Sequence, residues 1–162
     1  MFTVKFGSKN RESQIMRILK KDHSTAVVLA AVHFEWTIKR AILKLGVSPT
    51  KTLRKRLEDV YSFNKNSAQK NQYMPIWKSE VSRRFKNSSL GTIIGSIDKL
   101  NSEAIHIRGN IIHGNGTKSK KVATLAVERF FAVTSKIGDF ADKHGESLDT
   151  RLRARIKPRK IK

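Results

Sequence analysis

Apolar residues recur at intervals of three and four along most of this chain, and that period fits helices better than any other regular structure. Val28, Ala31, Ile38, Ile42 and Leu45 form one such stripe, and Glu35 falls in its middle. Leu53, Leu57, Val60 and Tyr61 form a second, and Ile76, Trp77, Val81 and Phe85 a third. Ile94, Ile97, Leu100, Ala104, Ile107 and Ile111 read as one continuous helix, ended by "HGNG". Val122, Ala126, Phe130, Val133, Ile137 and Phe140 belong to a last one, from about Lys118 to His144. A short first helix is predicted over about Arg11 to Lys21, and Asp22 or Ser24 as the cap of the second. Polar "SFNKNSAQKNQ" is predicted as a loop. No strand pair and no internal repeat is evident. The predicted class is all-α, a compact antiparallel bundle of about five to six helices.

A chain of 162 residues fits one domain with a core of its own. Residues 1–146 are assigned to that domain and 147–162 to a basic tail. The final "RLRARIKPRKIK" has seven Lys or Arg in twelve residues and no acid, so it reads as a flexible arm. Over the whole chain 34 Lys and Arg face 13 Asp and Glu, a formal charge of +21. A balance that basic calls for an anionic partner, nucleic acid first, then a membrane surface or an acidic protein. The absence of cysteine excludes disulfides, thiolate catalysis and cysteine–zinc sites. No run approaches the roughly 18 apolar residues of a membrane span, so no membrane partner is expected. The start, "MFTVKFGSKNRES", lacks the pattern of a secretory signal, and the expected location is cytoplasmic.

A carboxylate inside an apolar stripe needs a partner. Arg108 continues the stripe of Ile97, Leu100 and Ala104, which makes it the natural partner of Glu35. His113 follows five residues later, about 140° further round a regular helix. The two flank one side of the helix, and Gly109 between them leaves room for a ligand. An arginine to hold a phosphate and a histidine to trade protons near neutral pH suit RNA cleavage. The other histidines carry less: His33 is expected to be structural or at the surface, and His106 to face solvent. Trp36, Trp77, Phe130 and Phe131 are expected in the core or at a dimer contact. "GNGTKSKK" lacks the spacing of a phosphate loop and reads as a basic turn able to touch an RNA backbone through Lys118, Lys120 and Lys121.

Arg108-Gly-Asn-Ile-Ile-His113 followed by Gly114, late in an all-α chain, resembles the R-x4-6-H motif of the HEPN superfamily. "AVHFEWTIKRAIL" is similar to the helix that carries an acidic residue in several HEPN ribonucleases. The likeness covers about Ser24 to His144. It implies a HEPN-like fold and a homodimer that brings the Arg and His of both protomers together. It implies an endoribonuclease needing neither metal nor cofactor, of the toxin–antitoxin or phage-defence type, with an antitoxin protein as partner in the toxin members. By the likeness Arg108 and His113 are catalytic, Asn110 supports them, and Glu35 takes the acidic role. Many active members have a polar residue after the arginine; here that place holds Gly109 and Asn110 follows. RNA contacts are expected from Lys118, Lys120, Lys121, Arg151, Arg153 and Arg155. Two readings remain beside this one: a non-catalytic helical module that binds RNA or DNA, and a scaffold for an acidic partner.

Overall fold

The computed structural model describes residues 7–58, 60, 72–115 and 119–161. The protein is an all-α helical bundle with no β-strand among those residues. Helix α1 spans Ser8–Leu19, α2 His23–Leu45 and α3 Thr50–Glu58. Helix α4, Tyr73–Trp77, runs on into a π-helical turn, Lys78–Ser82. Helix α5 is Leu90–Ile94. Helix α6, Ile97–Leu100, passes through a π-helical turn, Asn101–Ile105, into α7, His106–Ile112. Helix α8 spans Lys120–Lys143. No helix among the described residues is long and apolar enough to cross a membrane. The predicted polar loop lies outside the described residues except for Gln72, and so do Tyr61 and Lys118.

Local chemistry sets the boundaries. Asp22 caps α2: its carboxylate accepts from the Thr25 amide at 3.0 Å and the Thr25 hydroxyl at 2.5 Å. The helix expected from Ile94 to Ile111 is broken between Ile94 and Ile97. Gly95 takes φ 85°, a conformation open to glycine, and Ser96 starts a new helix by accepting from the Lys99 amide at 3.1 Å.

Contacts divide the chain into two compact units, and α2 and α8 each contribute a segment to both. The first unit comprises residues 1–36 and 96–136. Its core holds Ile15, Leu19, Val27, Ala30, Phe34, Leu100, Ala104, Ala123, Val127 and Phe130, all at most 4% exposed. Phe34 and Phe130 meet with ring centroids 5.7 Å apart. His33 is fully buried here, and its role is structural. The Arg11 Nε donates to its Nδ1 at 3.1 Å, which leaves the ring proton on Nε2, facing Ser8 Oγ at 3.2 Å. Arg11 itself is 1% exposed, with its guanidinium 3.9 Å from the Trp36 ring centre.

The second unit comprises residues 37–95 and 137–162. Ile38, Ile42, Leu45, Leu53, Ile76, Trp77, Val81 and Ile137 are fully buried in it. Only glycine fits just beyond α2: a Cβ at Gly46 would lie 2.6 Å from the Ile42 carbonyl oxygen and 2.9 Å from Leu53 Cδ1. Buried Glu80, in the π-helical turn, binds the chain just beyond. It accepts from the amides of Val47 at 3.1 Å and Ser48 at 2.9 Å, from the Ser48 hydroxyl at 2.9 Å, and from Arg56.

The flexible arm expected at 147–162 is a correction, because 147–161 is docked without being helical. Thr50 and Arg155 exchange hydrogen bonds, Thr50 N to Arg155 O at 2.9 Å and Arg155 N to Thr50 Oγ1 at 2.8 Å. The Arg159 amide donates to Val47 O at 2.8 Å, the Arg155 guanidinium donates to Ser48 O, and Leu148 is buried. Arginine here supplies donors to carbonyls at the end of α2 and the turn after it, which composition alone does not reveal. Ending the chain at Glu146 is expected to lower stability, with about 1.5–3 kcal/mol from Leu148 alone. Urea unfolding of the shortened chain checks this; an unchanged midpoint would return the segment to a loose arm.

His144 stacks on Phe85, with centroids 4.0 Å apart, and meets Phe140 edge-on at 4.6 Å. Burial, then the charges of Lys143 and Arg84, hold its imidazole below the ordinary histidine value of 6.5. As pH falls through that value the unfolded chain takes up a proton that the folded chain resists. Stability is therefore present above the window and declines on the acid side. His144→Gln should flatten the difference between urea midpoints at pH 7.5 and 5.5, and an equal difference in both proteins would exclude His144 as its source.

Candidate functional site

The stripe on α2 is centred differently from the one read in the sequence. Ala31, Ile38, Ile42 and Leu45 of that stripe are buried, joined by Ala30, Phe34 and Ala41, so the apolar seam runs through Phe34 and leaves Val28 and Glu35 at its margin. Glu35 is thus half-exposed and carries no burial penalty that a partner must offset. It nonetheless meets the residue expected of it: Glu35 Oε1 lies 3.8 Å from Arg108 Nη2, with the side chains 42% and 40% exposed. An ion pair this wet and this long contributes about 0–1 kcal/mol, so holding the fold together does not account for it.

Arg108 reaches that position by way of the π-helical turn. The turn, Asn101–Ile105, holds buried Ala104 and leads straight into α7, none of whose residues is buried. Such turns are frequent at functional sites because they re-aim the side chains that follow. Helix α7 ends at once: the His113 amide donates to Gly109 O at 3.0 Å, and Gly114 turns away with φ 71°. His113 is exposed, and its ring has no hydrogen-bond partner among the described residues. A Cβ placed on Gly109 would meet nothing within 4 Å, so the surface between Arg108 and His113 is open. The Asn110 amide nitrogen lies 3.1 Å from His106 Nε2, and His106 is exposed, as expected.

Two exposed apolar residues border the ion pair in sequence. Val32, 46% exposed, precedes Glu35 by one turn of α2, and Ile112, 47% exposed, follows Arg108 by one turn of α7. The same unit contains Lys120 and Lys121, both exposed in the first turn of α8, which has no acid there. Cations at the positive end of a helix work against its dipole, so these two lysines are better placed to receive an anion than to support the helix.

The three other residues predicted to contact RNA belong to the second unit. Arg151 and Arg153 are exposed, whereas Arg155 is half-buried and spends its guanidinium on the Ser48 carbonyl. Sequence reasoning missed Lys44, Arg40 and Arg159, the cations that tie the last segment down. Lys44 is 5% exposed, and its ammonium donates to Ser147 O and, at 2.6 Å, to Thr150 Oγ1. Arg40 donates to Leu148 O at 3.1 Å and to Thr150 O, and Arg159 pairs with Glu146 at 2.9 Å. The one available signal was Lys44 itself, a cation flanked by the apolar residues of a helix end. Among the described residues no three His, Asp or Glu side chains gather as a metal site would require. In comparisons with known proteins, the chain matches no family model, no curated protein and no solved structure.

Proposed function

We propose that the protein is an endoribonuclease of HEPN type, cleaving RNA without a metal at a site composed of two copies of Arg108 and His113. The observation that carries the reading is Arg108 itself, 3.8 Å from Glu35 yet 40% exposed, five residues before an exposed histidine at a helix end. Arg108 offers its remaining donors to the scissile phosphate and to the charge that builds on it during attack. The ribose 2′-hydroxyl oxygen attacks the phosphorus, and the bond to the 5′ oxygen breaks. One His113 takes the 2′ proton and a second, from the other copy, returns a proton to the leaving 5′ oxygen. The products carry a 2′,3′-cyclic phosphate and a 5′-hydroxyl. Glu35 positions Arg108, and Asn110 stands beside it as a polar support.

Two copies are called for because Arg108 and His113 diverge by about 140° along a regular helix, which suits one phosphate poorly from a single chain. Exposed Val32 and Ile112 supply apolar surface for a second copy beside the pair. Lys120 and Lys121 draw the RNA backbone toward it. Within this reading the protein acts as the toxin of a toxin–antitoxin or phage-defence pair in the cytoplasm, with an antitoxin protein as its partner. The net charge of +21 equally favours a second reading, a helical module that binds RNA or DNA without cutting it. Single-stranded RNA incubated with the protein in excess chelator separates the two. Shortened products support the nuclease; retention of RNA in a gel with every strand intact supports the module.

A further inference from the structure

The second unit contains a basic pocket that the proposed chemistry leaves unused. The cavity measures about 590 Å³, which falls within the range that takes a nucleotide-sized ligand. Lys44, Arg151, Arg153, Arg155 and Arg159 line it, against the single carboxylate of Glu146. Three of the five cations are spent on the fold. Lys44 donates to Ser147 O and Thr150 Oγ1, Arg155 to Ser48 O, and Arg159 to Glu146 and Leu45 O. Arg151 and Arg153 are exposed and bond to no described residue. The backbone that bears them is fixed on both sides, by Arg40 and Lys44 at residues 147–150 and by Thr50 at Arg155.

We propose that this pocket binds a phosphate group, carried by a free nucleotide or by an RNA strand, through Arg151 and Arg153. Two guanidinium groups on an anchored segment can each present a paired set of donors to phosphate oxygens, which a loose arm would have to be ordered to do. The wall is also short of negative charge. Burial, then repulsion by Arg40, hold the Lys44 ammonium below the ordinary lysine value, with Arg153 adding to the repulsion and Glu146 and Asp149 opposing it. An anion seated among these groups relieves that repulsion. The proposal stands whether or not Arg108 and His113 cut RNA, since none of its residues belongs to that site.

Calorimetric titration of the full chain with pyrophosphate, with ADP and with a ten-nucleotide single-stranded RNA tests it. Binding that the variant below weakens supports the pocket: of pyrophosphate or ADP it identifies a free ligand, and of the RNA alone a strand. The double variant Arg151→Ala/Arg153→Ala should weaken that binding at least tenfold with no change in melting temperature, since both side chains are exposed. Lys20→Ala/Lys21→Ala removes the same charge from exposed sites in the first unit and should change affinity less than threefold. Failure of all three probes to bind overturns the proposal. So does an equal loss in the two double variants, which would mean attraction by net charge alone.

Discussion

Replacing His113 by alanine is expected to lower the rate of RNA cleavage by about 10²–10⁴-fold and to leave the fold intact. The ring is exposed and bonds to no described residue, so its loss opens no cavity and strands no polar group. Arg108→Ala should be as damaging to cleavage and nearly as harmless to stability. It removes one half-exposed ion pair with a 3.8 Å contact, worth about 0–1 kcal/mol. Glu35→Gln should fall between, because it loosens Arg108 without removing it. The measurement is a single-turnover rate at saturating RNA for each variant, beside its urea midpoint. If both alanine variants cut at the parent rate, the two residues are not the site. If either unfolds, the exposure described for it is wrong.

Glu80→Ala is expected to have the largest effect on stability of any single change in the second unit, about 3–5 kcal/mol. Its carboxylate is 4% exposed and serves two backbone amides, a hydroxyl and the Arg56 guanidinium. Truncation leaves the amides of Val47 and Ser48 without their acceptor. The same turn accepts from Arg155 and Arg159, so its loosening should also release the docked segment. Against a total stability of about 5–15 kcal/mol, the variant should unfold at far lower urea, with residues after Glu146 exposed to protease. A midpoint within error of the parent would show that solvent replaces the carboxylate at little cost.

Much of this was legible in the sequence because it is local. The three-four spacing located the long helices, Asp22 announced the start of α2, and the glycine after His113 marked the end of α7. The pairing of Glu35 with Arg108 was also legible, although for an incomplete reason. Ala31, Ile38, Ile42 and Leu45 of the α2 stripe are buried, but at its middle Phe34, not Glu35, is the buried residue. Two kinds of feature were hidden. The π-helical turns at Lys78–Ser82 and Asn101–Ile105 insert residues that a 100° period absorbs without a visible break. The roles of Glu80, Lys44 and Arg155 depend on partners tens of residues away. Nothing in "WKSEVS" distinguishes a buried acceptor from a solvated glutamate, and "RLRARIKP" has the composition of a free arm although Arg155 holds the Ser48 carbonyl.

The central claim, cleavage by attack of a ribose 2′-hydroxyl at Arg108 and His113, is tested most directly on one pair of substrates. A short RNA with a single preferred cut site is compared with the same strand carrying a 2′-O-methyl group on the nucleotide just before that site, both in excess chelator. The account predicts that the first is cut to a fragment ending in a 2′,3′-cyclic phosphate and that the second is not cut there. Equal cleavage of the methylated strand at the same position, or products ending in a 3′-hydroxyl, would contradict it.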